Sequence, residues 1–152
     1  MSCFETVGYG YSSILCEDIA SWFINKFVPR HKFYVRIVHK GLKREHSFGF
    51  CDFVDQAYRP RVFVIEVQSN LSKEMYIKTL LHEFVHLKQW LQGTLRMKSG
   101  KMYFDGESVA KYEYMDQPHE VEAYDSEERL AREFLCDTYG KEFAEKIVGE
   151  KL

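Results

Sequence analysis

Nowhere in this 152-residue sequence do apolar residues run on for the ~18 positions that a bilayer-spanning helix needs. The first residues also lack a basic segment followed by an apolar run, so no secretory signal is read there and a cytoplasmic location is expected. An excess of one charge is missing too: 21 basic residues against 23 acidic ones leave a formal net charge of −2. That balance supplies no general attraction for nucleic acid or an anionic membrane, and neither is expected as a partner. The basic clusters at residues 30–32 and 40–44 are short. Cysteine is sparse: Cys3, Cys16, Cys51 and Cys136 stand far apart with no CxxC pair. This excludes zinc-finger spacing and argues against a disulfide framework; free, partly buried thiols are expected. No repeat, low-complexity stretch or Pro/Gly/Ser-rich linker divides the chain, so one domain over residues 1–152 is expected.

What is present is apolar enough to fold. Hydrophobic residues make up 45% and aromatic residues 16%, which excludes disorder, and the length suffices for a core without disulfides or a structural metal. Ile19, Ala20, Phe23, Ile24 and Phe27 recur at helical spacing over residues 17–28, with Pro29 as the stop. Residues 33–39 and 47–54 are β-branched and aromatic, with a turn near Gly41 between them. Residues 61–67 alternate, placing Val62, Val64 and Glu66 on one face and Arg61, Phe63, Ile65 and Val67 on the other.

Ser72 suits an N-cap, Glu74 a first turn and Gly93 a C-cap, which brackets a helix of about five turns. Its apolar positions nearly encircle it, so it belongs at the centre of the core. Asp105-Gly106 predicts a tight turn from residues 102–104 into a second strand over 108–114. Pro118 opens a helix to about Cys136, and a short helix follows near 141–148. The order helix, three strands, long helix, hairpin, helix, helix predicts an α+β fold. In it a small, mostly antiparallel sheet covers one side of the long helix.

Chemistry concentrates in His82-Glu83-Phe84-Val85-His86, inside that helix. Residues four apart share a helical face, so two imidazoles can reach one metal ion about 2 Å away. Glu83, one position along, is placed to take a proton from a metal-bound water, whose acidity the ion raises. The competing assignment is a solvent-facing stripe of Lys78, His82, His86 and Gln89 that binds nothing. A catalytic ion wants a third protein ligand and an open position. Candidates are Glu120, in the first turn of the next long helix with small Ala123 one turn on, and its rivals His119 and Glu122. The run Glu127, Glu128, Arg129 reads as a solvated face. Tyr112 and Tyr114 are candidate donors to a developing oxyanion. Asp116 and Asp125 are candidate braces for a ligand histidine, Asp116 equally a helix cap.

HEFVH, followed after a hairpin by a helix opening PHEVEA, resembles the gluzincin group of zinc metallopeptidases. In that group a glutamate in an ExxA- or ExxS-like pattern on a separate helix is the third ligand. Glu120-Val121-Glu122-Ala123 follows that pattern, so the resemblance assigns the ligand to Glu120. The short length and the strands before the motif helix resemble minigluzincins and SprT-like metalloproteases of phages and bacteria, over roughly residues 61–128. SprT proper uses a histidine as third ligand, and this chain lacks its zinc-ribbon cysteines. The resemblance implies a zincin-like fold, one zinc per chain on His82, His86 and Glu120, catalysis through Glu83, and a peptide or protein substrate. It also makes strand 61–67 the edge strand above the metal, to which an extended substrate would add. Two further functions are carried forward: a catalytically silent zinc module, and a regulatory SprT-like protease acting on a DNA-associated protein.

Overall fold

The computed structural model describes residues 3–42 and 48–149. Lys43, part of the turn expected near Gly41, and Ser47, the first residue of the expected 47–54 strand, lie outside them. The fold is mixed α+β. Strand β1 (Cys3–Gly8) leads through helix α1 (Ser13–Phe27) to β2 (Tyr34–Lys40), and β3 (Gly49–Phe53) and β4 (Val62–Gln68) complete a four-stranded sheet. Helix α2 (Lys73–Gln92) is followed by β5 (Leu95–Lys98), β6 (Lys101–Phe104) and β7 (Glu107–Ser108), a small second sheet. Helices α3 (Pro118–Tyr139) and α4 (Lys141–Val148) close the chain. Among the described residues no helix is long and apolar enough to cross a membrane.

The main sheet corrects three expectations. Its order is β1-β2-β4-β3, with β1–β2 and β2–β4 parallel and β3–β4 antiparallel, so it is mostly parallel rather than mostly antiparallel. The β1-α1-β2 segment is a crossover unit, and a helix between two strands is what a parallel pairing requires. Strands β2 and β3 are therefore not partners across the turn near Gly41: β4 lies between them. For the same reason β4 is an inner strand, and among the described residues the last strand on that side is β3. The expected facing of β4 does hold. Phe63, Ile65 and Val67 are buried with Val35, Ile37 and His39 of β2, in register as Val35↔Phe63, Ile37↔Ile65 and His39↔Val67.

Helix α2 is buried on nearly every side, as its composition requires. The Ser72 hydroxyl accepts from the Met75 N–H, and Gly93 ends the helix at φ 80°, a left-handed conformation glycine adopts without steric cost. The second sheet was half anticipated. Asp105 and Gly106, at φ 50° and 84°, make the expected turn, and Ser99-Gly100 makes a second one at 54° and 77°. The expected strand over 108–114 is only two residues long and gives way to single 3-10 turns at Val109–Lys111 and Tyr114–Asp116. These turns bring the chain to Pro118 and set the start of α3 over the middle of α2. Gln117, not Asp116, occupies the N-cap position of α3, and its side chain makes no capping hydrogen bond. All four cysteines are free.

Candidate metal centre

His82 and His86 stand one turn apart on α2, and Glu120 reaches them from the first turn of α3. Ala123 is fully buried beneath it, small enough to let the two helices close. One donor atom from each of the three lies within 4.8 Å of the others. Glu120 Oε1 is 3.1 Å from His82 Nε2 and 3.3 Å from His86 Nε2. The solvent-facing stripe is thereby corrected: His82, His86 and Gln89 are all buried.

The outer ring nitrogens decide what the inner ones can do. His82 Nδ1 is 2.9 Å from Glu127 Oε2, and His86 Nδ1 is 2.8 Å from Gln89 Oε1. Gln89 donates its own amide hydrogens to the His119 carbonyl and to Glu122 Oε1, so its oxygen is the acceptor towards His86. Both imidazoles therefore carry hydrogen on Nδ1. In their neutral form each presents a bare Nε2 lone pair to a carboxylate oxygen, itself an acceptor. Three acceptors at these distances repel unless positive charge sits among them. Without a metal, protons take that role. Burial pulls the His82 pKa down, but hydrogen bonds to Glu120 and Glu127 outweigh it and raise it to about 9. His86 shifts upward by the same balance. Burial pushes Glu120 up, yet its bonds to both histidines hold it well below the usual carboxylate range. Two imidazoles and a carboxylate with fixed tautomers form a donor set that suits a divalent zinc-like ion.

Glu83 is 5% exposed, and its Oε1 has no hydrogen-bond partner among the described residues. Burial first, opposed by the neighbouring histidines, brings its pKa to about 7. Gly49 of β3 passes directly over it: a Cβ built there would lie 3.3 Å from Glu83 Cγ, 3.1 Å from Thr79 Cγ2 and 2.8 Å from the Glu66 carbonyl oxygen. The glycine is what lets the strand approach the motif helix so closely. His82, Glu83, His86 and Glu120 line a cleft of about 810 Å³ between β3 on one side and the start of α3 on the other. Trp90, Leu95, Met97, Met102 and Val109 add apolar lining to it.

Of the two candidate tyrosines only Tyr114 belongs here, its hydroxyl donating to Glu120 Oε2 at 3.2 Å. Tyr112 instead points to Glu107, 3.5 Å away, and does not line the cleft. His119 lies beside the convergent set rather than in it, Nε2 3.8 Å from Glu120 Oε2. Burial, helped by the positive charge of His86, holds its pKa down to about 4, so the imidazole is neutral. Glu122 is taken by Gln89. The histidine braces are Glu127 and Gln89, not Asp116 or Asp125, so the solvated-face assignment of Glu127 is also corrected. Tyr124, whose ring meets that of His82 edge-on at 4.5 Å, was not anticipated. No protein-family model, curated protein or solved structure matches this chain.

Proposed function

We propose that this chain is a zinc-dependent metallopeptidase of zincin-like design. His82, His86 and Glu120 would hold the ion, and Glu83 would manage the proton. The observation that carries the proposal is the convergence of two Nε2 lone pairs and Glu120 Oε1 within 4.8 Å, beside a buried carboxylate oxygen with no partner. A stabilising centre alone has no use for that carboxylate, whose desolvation is unfavourable without a hydrogen bond. The likeness of HEFVH and PHEVEA to the gluzincin motifs supports the same assignment. An ion bound there would supply Lewis acidity, making water more acidic and polarising an amide carbonyl.

The rest falls to the chain itself. Glu83 takes the proton that the attacking water gives up and passes it to the departing amine. A carboxyl poised near 7 before any ion binds can both accept and return a proton, and a cation beside it would lower that value. An extended substrate would lie in the cleft against β3, the terminal strand, rather than against β4.

Metal analysis and peptide-library cleavage on wild type beside Glu83→Gln form the test. One zinc per chain is expected in both proteins, with cleavage lowered about 10²–10⁴-fold in the variant. A variant that cleaves as fast as wild type rejects the proposal.

A further inference from the structure

Among the buried polar side chains of the cleft, His119 has an unpartnered ring nitrogen and no part in the reaction above. His119 follows Pro118 at the start of α3, and its side chain is only 8% exposed. Its ring is stationed between His86 and Phe104, at centroid separations of 5.4 and 6.4 Å. Nδ1 is buried with no hydrogen-bond partner among the described residues. Nε2 faces Glu120 Oε2 from 3.8 Å, beyond hydrogen-bond reach. Burying an imidazole without partners is unfavourable, and phenylalanine or leucine would fill the position without that penalty. The backbone here is nonetheless held in place: Gln89, the residue that orients His86, also donates to the His119 carbonyl at 3.1 Å. An orphaned N–H is rarer in folded proteins than an orphaned acceptor. The tautomer that avoids one at Nδ1 carries its hydrogen on Nε2, at the cleft beside Glu120.

We propose that His119 is a catalytic residue of this centre, its Nε2–H donating a hydrogen bond to the carbonyl oxygen of the scissile amide as negative charge develops there. The proposal rests on the peptidase function above. As the water oxygen bonds to the carbonyl carbon, the C=O π pair moves onto oxygen, and Glu83 takes the water's proton. On collapse that pair re-forms C=O, the C–N bond breaks, and the amine nitrogen receives the proton from Glu83. His119 keeps its hydrogen throughout. It is better placed than Tyr114 to act as a fixed donor, because Tyr114 is 58% exposed and its hydroxyl is already engaged with Glu120 Oε2. A preorganised donor that meets its acceptor only as charge builds is the arrangement that lowers a barrier without tightening substrate binding.

The test uses zinc-loaded full-length protein and a peptide that the wild type cleaves, comparing His119→Phe, which fills the volume without a donor, and His119→Gln, which restores one. Zinc content, thermal melting, kcat, KM and affinity for a phosphinic peptide that mimics the tetrahedral intermediate are measured on each. His119→Phe is expected to keep its zinc and a KM within about twofold of wild type, and to lose about 10²–10³-fold in kcat. Phosphinate affinity should fall in parallel, and His119→Gln should recover much of both. Should His119→Phe fail to fold, His119→Asn, which withdraws the donor by its shorter reach, is held to the same expectations. Wild-type kcat in the donor-free variant overturns the proposal, as does loss of zinc, which would make His119 a ligand. A fall in kcat with undiminished phosphinate affinity also overturns it. A wild type that binds no zinc or cleaves nothing in the library is a different result, the failure of the peptidase function itself.

Discussion

Two residues outside the convergent set of His82, His86 and Glu120 decide the protonation of the centre. Glu127 and Gln89 each take the Nδ1 hydrogen of one histidine and so turn a lone pair inward on both. Removing either brace frees the ring to rotate or to change tautomer. Glu127→Ala and Gln89→Ala are each expected to weaken zinc affinity about 10–100-fold while the fold is kept, measured by competition with a chromophoric chelator. Unchanged affinity in both would mean that packing alone sets the rings. Glu127 was legible in principle. It lies seven residues after Glu120, two turns along α3 and back on the same face, so the helix that offers one carboxylate to the centre offers the other as well. The acidic run around it hid that periodicity. Gln89 was hidden otherwise, since an amide three residues after a histidine has many ordinary roles on a helix.

At the level of elements, the helices could be read because their signals are local. Ser72 and Gly93 bound α2 through a side-chain cap and a left-handed turn that involve only neighbouring residues. Pro118 likewise opens α3. Ser72→Ala is expected to cost about 1 kcal/mol in urea unfolding, leaving the centre intact. The sheet was less legible because alternation fixes which face a strand buries but not which strand it pairs with. Phe63, Ile65 and Val67 told their side of β4 correctly, yet nothing in them says that β2 is a parallel neighbour. The segment CFETVG of β1 was missed outright: its burial is partial and its Glu5 and Thr6 blur the pattern. Gly49 gave a usable sign, since an isolated glycine in a strand marks either a bulge or a close backbone approach. Here it is the second. Gly49→Ala must shift β3, because the new methyl would lie 2.8 Å from the Glu66 carbonyl oxygen of β4 and 3.1 and 3.3 Å from the Thr79 and Glu83 side chains of α2. Destabilisation of about 1–3 kcal/mol is expected, with a fall in kcat beyond what zinc loss explains. Wild-type stability and rate together would show that the strand yields at no cost.

Across the whole molecule, the parts are tied at His39. This fully buried residue sits on β2, its Nδ1 3.0 Å from the Val7 carbonyl of β1 and its Nε2 2.8 Å from the Tyr76 hydroxyl of α2. Tyr11 stacks on the ring at 3.5 Å. The carbonyl can only accept, so Nδ1 carries the hydrogen, and Nε2 takes the hydrogen of Tyr76. A neutral imidazole is thus fully satisfied, and it couples the sheet to the helix that bears the centre six residues further on. A proton on Nε2 would displace the Tyr76 hydrogen and bury a charge. Burial accordingly holds the His39 pKa below its usual value near 6.5, against the raising effect of the Val7 bond. The sign follows. Because the folded pKa is the lower one, the unfolded chain takes up the proton first, so the contribution is whole above about pH 6.5 and is lost as pH falls towards the folded value. The His39 contribution to the urea midpoint should therefore be smaller at pH 5.5 than at pH 7, whatever net slope the raised pKa values of His82, His86 and Glu83 impose in the opposite direction. His39→Gln should be weaker than wild type at both pH values, with the smaller deficit at pH 5.5, measured with chelator present so that metal release does not enter. His119, which pulls in the same direction as His39, and His82, His86 and Glu83, which pull against it, are common to both proteins, so the difference between their two slopes reports His39 alone. Parallel slopes would mean that this histidine does not couple acid to the packing of sheet on helix.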